Sequence, residues 1–328
     1  MSHESKEVSC ADCSDMNRRD FLKSSTAAIV AGSAASYATA APAKQKSETL
    51  VASLYKTLTD EQKNAIAFKF DDPLRSAINN NWHITKTRIN SFSKDQQALI
   101  KDIFLSLHSP EYAQSILKAT EHDNRGDLGS CAIAMFGEPG TGKFEFVFTG
   151  RHVTRRCDGD SVEGAAFGGP IFYGHSPQFN EKPDHPGNVY WYQAQQANKV
   201  FKALDGKQQK LALADSPRPE RRSRTVRLSG KTTGLDGIPM SELSADQKDL
   251  VRKTMAATLA PFRKVDADES LKLIENAGFD NLHMAFYPGM DTGNDGVWDV
   301  WQIEGPSMIW YYRGHPHVHT WVHIRDKA

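Results

Sequence analysis

The chain closes on the stretch Arg313-Gly-His315-Pro-His317-Val-His319-Thr-Trp321-Val-His323-Ile-Arg325-Asp326, in which four histidines are spaced two or four residues apart. Side chains alternate between the two faces of a β-strand, so residues at i, i+2 and i+4 share one face. If this stretch is extended, the four histidines and Trp321 lie on one face. The opposite face then carries side chains that suit a core, namely Val318, Thr320, Val322 and Ile324.

The imidazoles of this predicted strand have the spacing of a metal site. Residues two apart on one strand lie roughly 7 Å apart at Cβ, because the rise is about 3.4 Å per residue. Two such rings can tilt toward one ion and bind it at about 2.0–2.1 Å from each nitrogen. His317 and His319 are therefore the predicted core ligands. The alternative is that histidines on an exposed strand face are solvated or bond to carbonyl groups.

A third ligand must come from elsewhere in the chain. His152 ranks first because it ends a second predicted strand, and His175, His323 and His315 follow in that order. An all-imidazole set suits copper, zinc, nickel or iron and argues against calcium or magnesium. Arg151, beside His152, is a candidate for holding an anionic substrate or intermediate, with a structural ion pair as its alternative role. The sequence does not identify the metal, the substrate or the reaction, and it leaves open whether the protein is an enzyme.

Length and charge limit the class of protein. The chain has 328 residues, with 40 basic and 40 acidic side chains, so no basic surplus points to a nucleic-acid partner. Hydrophobic residues make up 39%, which is adequate for a globular core at this length. The sequence has no run of about 18 apolar residues, so no membrane-spanning helix is predicted.

The N-terminal segment has the pattern of an export signal. Asn17–Lys23 reads Asn-Arg-Arg-Asp-Phe-Leu-Lys, a twin-arginine signal, and a weakly apolar segment and a small-residue cleavage site, Ala38-Thr-Ala40, follow. This pattern predicts a signal peptide over residues 1–40 and a single domain over residues 41–328. The twin-arginine translocase would then deliver a periplasmic or secreted protein without a membrane anchor. The alternative is a chance Arg-Arg pair before an alanine-rich linker.

The cysteines divide at this cleavage site. Cys10 and Cys13 form a C-x-x-C pair, but they precede the arginine pair and would be removed with the signal peptide. Cys131 and Cys157 remain in the mature chain. In an oxidising compartment they can form one disulfide, and burial as free thiols is the alternative.

Three helix starts share one sequence signature. Thr59, Ser93 and Ser244 are each followed three residues later by Gln and preceded by an apolar residue, which is typical of a capping box. Apolar residues at helical spacing follow these caps. The pattern predicts helices over 48–70, 95–122, 190–204 and 244–262.

From Ser130 onward the hydrophobic period changes to two, which predicts a β-hairpin over residues 130–152. Its turn, Gly137–Lys143, has the spacing of a phosphate-binding loop. Such a loop needs Ser or Thr after the lysine and a helix behind it. Phe144 and an alternating strand follow instead, so the glycines are interpreted as turn residues.

These elements together predict an α+β fold, with capped helices packed on an antiparallel sheet in a single large domain. The sheet would combine the hairpin at 130–152, the segment at 160–175 and the strands from 283 to 326. Strands that follow one another through tight turns favour antiparallel pairing. The segment Pro217–Arg227 carries five arginines and is interpreted as a solvated edge rather than a binding patch.

Two further functions compete with an exported metal-binding protein. One is a metal-free hydrolase with a histidine base, for which His175-Ser176 and Glu163 are candidate groups. No Gly-x-Ser-x-Gly elbow supports it. The other is a non-catalytic module that binds a glycan or peptide in an aromatic groove formed by Trp298, Trp301 and Trp321.

Several stretches, in their order along the chain, resemble the family catalogued as domain of unknown function 3500. Members of that family carry Gly-His-His where this chain has Gly150-Arg151-His152, so the resemblance implies that His152 corresponds to the second histidine. The family has no established activity, and the resemblance therefore implies a single domain and little chemistry. The matching stretches are Leu58–Gln62, Phe70–Arg75, Met135–Pro139, Gly150–His152, Pro170–Gly174, Glu304–Pro306, His317–His319 and Arg325-Asp326.

Overall fold

The computed structural model describes residues 46–176, 189–291 and 294–326, and a single sheet of ten strands runs through them. The strand order is β1-β2-β3-β4-β5-β10-β9-β8-β7-β6, and every pairing is antiparallel except that of β1 with β2. The strands are β1 (Ala67–Phe68), β2 (Ala132–Gly137), β3 (Phe144–Gly150), β4 (Val153–Cys157), β5 (Ile171–His175), β6 (Ile238–Pro239), β7 (His283–Phe286), β8 (Val300–Glu304), β9 (Met308–Arg313) and β10 (Val318–Ile324).

Eight α-helices accompany this sheet in the described residues, and together they confirm the predicted α+β class. They are α1 (Lys46–Thr57), α2 (Asp60–Ile66), α3 (Lys94–Ser106), α4 (Ala113–Asp123), α5 (Tyr192–Ala203), α6 (Gly206–Ala212), α7 (Ala245–Leu259) and α8 (Lys264–Asn276).

The predicted capping boxes form at Thr59, Ser93 and Ser244, where each hydroxyl accepts from the third helical amide and the glutamine returns the bond. Two predicted helices are nevertheless divided. Residues 48–70 form α1 and α2, because Thr59 begins a new helix, and a short strand follows from Ala67. Residues 95–122 form α3 and α4, which are separated around Pro110.

The predicted hairpin is confirmed as β2 and β3, with Gly137 paired to Phe144. Gly137 has φ +74°, a conformation that favours glycine, so the loop is a turn as interpreted. The sequence reading missed β4, because its five residues are all buried and include Arg155 and Arg156, which hides any alternation. Only residues 171–175 of the 160–175 segment form a strand.

The closing stretch forms a strand, but β10 begins at Val318, so His315 and His317 precede it. Both faces of β10 are covered. Val318, Val322 and Ile324 belong to the main core, as predicted for that face. Trp321 packs on the other face in a second apolar cluster that includes Phe172, Val226 and Tyr311.

Several other expectations are decided by burial. Trp301 and Trp321 are fully buried, so they are not available to stack on a glycan or peptide. Cys131 and Cys157 are buried free thiols rather than a disulfide. Within the described ranges, no helix is long and apolar enough to cross a membrane. The predicted signal peptide, with Cys10 and Cys13, lies outside the described residues.

Candidate functional site

The register of three neighbouring interior strands brings distant histidines together at one end of these strands. Val153 of β4 pairs with Tyr173 of β5, and the amide of Gly174 donates to the carbonyl oxygen of His152 at 3.1 Å. On the other side of β5, Gly174 pairs with His319 of β10. His152 and His319 therefore flank Gly174 in one row across the sheet.

Gly174 is required at the centre of this row. A Cβ atom there would lie against the carbonyl oxygen of Val318, well inside van der Waals contact, and 3.5 Å from the Cβ of His152. The absence of a side chain lets the two flanking imidazoles approach each other over β5. His152 itself has φ +58° in the turn between β3 and β4, a conformation that costs energy for a non-glycine residue and is concentrated at functional sites.

His152, His317 and His319 form the three-histidine cluster. The ring centroid of His152 lies 4.9 Å from those of both His317 and His319, and the latter two are 4.6 Å apart. The Nε2 atoms of His317 and His319 lie 2.9 Å from each other. One ligand atom from each of the three residues lies within 4.8 Å of the others. Small rotations of the rings would bring the nitrogens to the spacing of roughly 3.3 Å that tetrahedral ligation at about 2.0–2.1 Å requires.

A buried carboxylate orients His152. Nδ1–H of His152 donates to Oδ2 of Asp123 at 2.8 Å, and the amide of Ser176 donates to the same oxygen at 3.0 Å. Burial raises the pKa of Asp123, but the hydrogen bonds from His152 and His175 outweigh it and hold the pKa well below its usual range. Asp123 ends α4, where the helix dipole disfavours a negative charge. The bond to His152 offsets that cost.

A second carboxylate orients His319 in the same way. Nδ1 of His319 lies 2.6 Å from Oε2 of Glu220, and Nε of Arg313 donates to Oε1 of Glu220 at 2.5 Å. Arg313 also contacts Nδ1 of His319, and Asn80 donates to Glu220 at 3.3 Å. Burial raises the pKa of Glu220, but the bond to His319 and the charges of His319 and Arg313 lower it to about 2.

The two carboxylates fix which ring nitrogen is free. Because a carboxylate can only accept, Asp123 and Glu220 favour a proton on Nδ1 of His152 and of His319, against the contact of Arg313 with the latter, and this leaves the lone pair on Nε2, the arrangement that second-shell carboxylates give to metal-binding histidines. Burial, followed by the charges of His319 and His152, lowers the pKa of His317 to about 3. Burial also lowers the pKa of His319 to about 4 against the opposing effect of Glu220. Both rings are therefore neutral at pH 7, as a metal ligand must be.

His175 lies on the far side of Asp123. With His122 it forms a second group around this carboxylate, and Nδ1 of each ring is 3.4 Å from Oδ1 of Asp123. His175 is buried, whereas the side chain of His122 is 70% exposed. Asp123 thus joins the two groups of histidines.

Two of the predicted ligands lie outside both groups. His315 is half-buried in the connection between β9 and β10. His323 shares its strand face with His319, but four residues at about 3.3 Å each place it roughly 13 Å away. Its Nδ1 bonds to the carbonyl oxygen of Val226 at 3.0 Å.

Arg151 is exposed, and its guanidinium donates to Oγ of Ser176 at 3.3 Å. Together with Asp123 it lines a cavity of about 480 Å³. Asn124 fixes the backbone of Arg151 through two hydrogen bonds of 2.9 and 3.0 Å. The end of α4 therefore holds both the turn and its histidine.

The sequence reading missed Asp123 and Glu220, the two residues that orient the cluster. The signal for Asp123 is a carboxylate at the end of a predicted helix, where a basic residue is favoured. Glu220 stands among five arginines in the segment 217–227, and nothing in that pattern points to a histidine partner.

Comparison with known proteins gives one result. Residues 40–327 match the family described as "Protein of unknown function (DUF3500)". None of the curated proteins and none of the solved structures gives a significant match.

Proposed function

We propose that this chain, which belongs to the DUF3500 family, is an exported protein that binds one transition-metal ion through His152, His317 and His319. One observation carries the proposal. His152 and His319 each present Nδ1 to a carboxylate, Asp123 or Glu220, which leaves Nε2 of both rings free, and ligand atoms of both lie within 4.8 Å of one on His317.

The charges around the cluster favour a cation. Glu220 is paired with Arg313, whereas no lysine or arginine of the described residues forms an ion pair with Asp123. Among the described residues, the carboxylate of Asp123 meets only imidazole rings and the backbone amide of Ser176. A buried charge is costly unless it is paired, and a bound cation would supply the pair.

The donor set supports a transition metal over calcium or magnesium. Three imidazole nitrogens suit zinc, copper or iron, and three protein ligands leave a position open for water or substrate. Such an ion, when bound, supplies Lewis acidity or, for copper and iron, redox chemistry. His317 is the half-buried member of the cluster, so the open position would lie on its side.

Export is proposed from the twin-arginine sequence at Arg18-Arg19. Delivery by the twin-arginine translocase after folding would let the ion be inserted in the cytoplasm, before competing metals are met outside.

Elemental analysis of natively exported protein tests the proposal, on the wild type and on the variant with His317→Ala and His319→Ala. We expect about one equivalent of metal per chain in the wild type and almost none in the variant. Near-zero metal in both proteins, or equal metal in both, would contradict it. Circular dichroism of the variant checks that it folds.

A further inference from the structure

A second cavity, of about 570 Å³, lies at the opposite end of β10 from the three-histidine cluster. The cavity is lined by Arg75, Ser76, Val162 and Ala165 together with three further parts of the chain. They are the end of β10 with His323 and Arg325, the segment from Ser223 to Leu228, and the glycine-rich stretch Gly168–Pro170 that precedes β5. Cavities of roughly 300–1,000 Å³ are typical of small-molecule sites.

The lining of this cavity is strongly basic. Four guanidinium groups, those of Arg75, Arg224, Arg227 and Arg325, share it with His323, and no aspartate or glutamate is among the lining residues. Arg75 is paired with Glu145 at 2.8 Å. A concave surface lined by one sign of charge concentrates its potential on an oppositely charged ligand.

Three of the four arginines, Arg224, Arg227 and Arg325, have no carboxylate partner among the residues that the structure describes. Nε of Arg325 is also buried without a hydrogen-bond acceptor. A buried donor without a partner loses the hydrogen bond that it would make to water, and an oxyanion in the cavity would restore it.

His323 adds a neutral acceptor to the wall. Its Nδ1 donates to the carbonyl oxygen of Val226 at 3.0 Å, which leaves the lone pair on Nε2. Burial, then the charges of Arg325 and Arg156, lower the pKa of His323 to about 4, so the ring stays neutral beside the arginines. A neutral imidazole acceptor suits a hydroxyl group on the ligand.

We propose that this cavity binds the phosphate monoester of a small hydroxylated molecule. Three unpaired guanidinium groups match a dianion better than a single carboxylate, and their planar forks fit phosphate oxygens in pairs. The volume exceeds that needed by inorganic phosphate, so the charged group is carried by an organic body. The site uses none of the residues of the three-histidine cluster and does not depend on the metal proposal.

Isothermal titration calorimetry with glycerol 3-phosphate tests the proposal. We expect saturable binding to the full-length wild type at millimolar or lower concentration. The double variant Arg224→Gln, Arg227→Gln should weaken this binding at least about tenfold, because charge-assisted hydrogen bonds are lost. Both side chains are exposed, so the variant keeps its fold.

A matched control separates this site from general surface charge. The variant Arg221→Gln, Arg222→Gln removes the same charge from the same segment, but neither residue lines this cavity; both line a neighbouring one, which Arg224 also borders. Its affinity should stay within about twofold of the wild type. No binding by the wild type, equal weakening by both double variants, or acetate binding as tightly as glycerol 3-phosphate would each overturn the proposal.

Discussion

The two ends of β10 place histidines of the same strand face in opposite electrostatic surroundings. At one end His319 bonds to Glu220, and the rings of His152 and His317 stand beside it. At the other end His323 bonds only to a backbone carbonyl and shares its cavity with arginines. Carboxylates behind the rings prepare the first end for a cation, and guanidinium groups prepare the second end for an anion.

This difference shows what the histidine pattern can and cannot indicate. Alternation on a strand places His319, Trp321 and His323 on one face, but the groups packed against that face decide their chemistry. Those groups come from the segment 217–227, far away in sequence, where Glu220 bonds to His319 and the carbonyl oxygen of Val226 bonds to His323.

The largest effect on metal affinity should come from replacing a histidine by alanine at one end of β10 but not at the other. His319→Ala removes one metal ligand, whereas His323→Ala removes a ring from the same face without touching the cluster. Complete zinc sites bind with about 10–16 kcal/mol, so one ligand contributes roughly 3 kcal/mol, and metal affinity should fall about 100-fold. His323→Ala should leave metal affinity unchanged.

Competition with a chromophoric chelator measures both constants. Equal losses of metal affinity in His319→Ala and His323→Ala would contradict the assignment of the metal site to one end of β10.

Removing the carboxylates behind the rings should have the next largest effect. Asp123→Asn and Glu220→Gln keep the size of each side chain but weaken the bond that fixes Nδ1–H. Loss of such second-shell partners typically lowers metal affinity 10–100-fold. Glu121→Gln, on the same helix as Asp123 and paired with exposed Lys101, is the matched control and should have no effect. If the same competition assay finds wild-type affinity in both carboxylate variants, the orienting role is wrong.

Gly174→Ala tests the close approach of His152 and His319 over β5. Because the new Cβ would press against Val318, we expect a loss of about 1–3 kcal/mol in the free energy of unfolding, together with weaker metal binding. Gly142→Ala is the control, since nothing lies within 4 Å of a Cβ there. Urea denaturation measures both. A stability equal to that of the wild type for Gly174→Ala would contradict the prediction, because it would show that β5 and β10 accommodate the added Cβ without cost.

The smallest effect concerns how stability depends on pH through His323, at the end of β10 that faces the arginine-lined cavity. The pKa of His323 falls from 6.5 in the unfolded chain to about 4 in the fold, so between these values the unfolded state binds more protons. His323 therefore costs no stability above about pH 6.5, and its protonation lowers the free energy of unfolding progressively as the pH falls toward 4. His323→Gln should reduce the loss of stability between pH 7 and pH 5 by about 1.5–2 kcal/mol. Urea denaturation of metal-free protein at both values checks this, and an unchanged pH dependence would contradict the lowered pKa.

Local patterns predicted much of the fold. Capping boxes located helix starts at Thr59, Ser93 and Ser244, and alternation located the β2–β3 hairpin. Two predicted helices were too long, because the helical pattern continued past a new helix start at Thr59 in one and past Pro110 in the other. β4 escaped because its arginines are buried through bonds to distant partners, such as that of Arg156 to Glu145, which no local pattern shows.

For the candidate site, the spacing of His317 and His319 correctly placed two rings together, because residues two apart stay close even though His317 lies just before β10. The position of His152 beside them depends on the strand order β4-β5-β10, which spacing does not encode. Asp123 and Glu220 enter through tertiary contacts alone. Ring position was therefore partly predictable, whereas ring orientation was not.

An anomalous difference map from crystals of natively exported protein tests the central claim most directly. Data collected on both sides of the absorption edge of the bound element should show one peak, about 2.0–2.2 Å from Nε2 of His152, His317 and His319. A map without a peak at this position, or with the only peak elsewhere in the molecule, would contradict the claim.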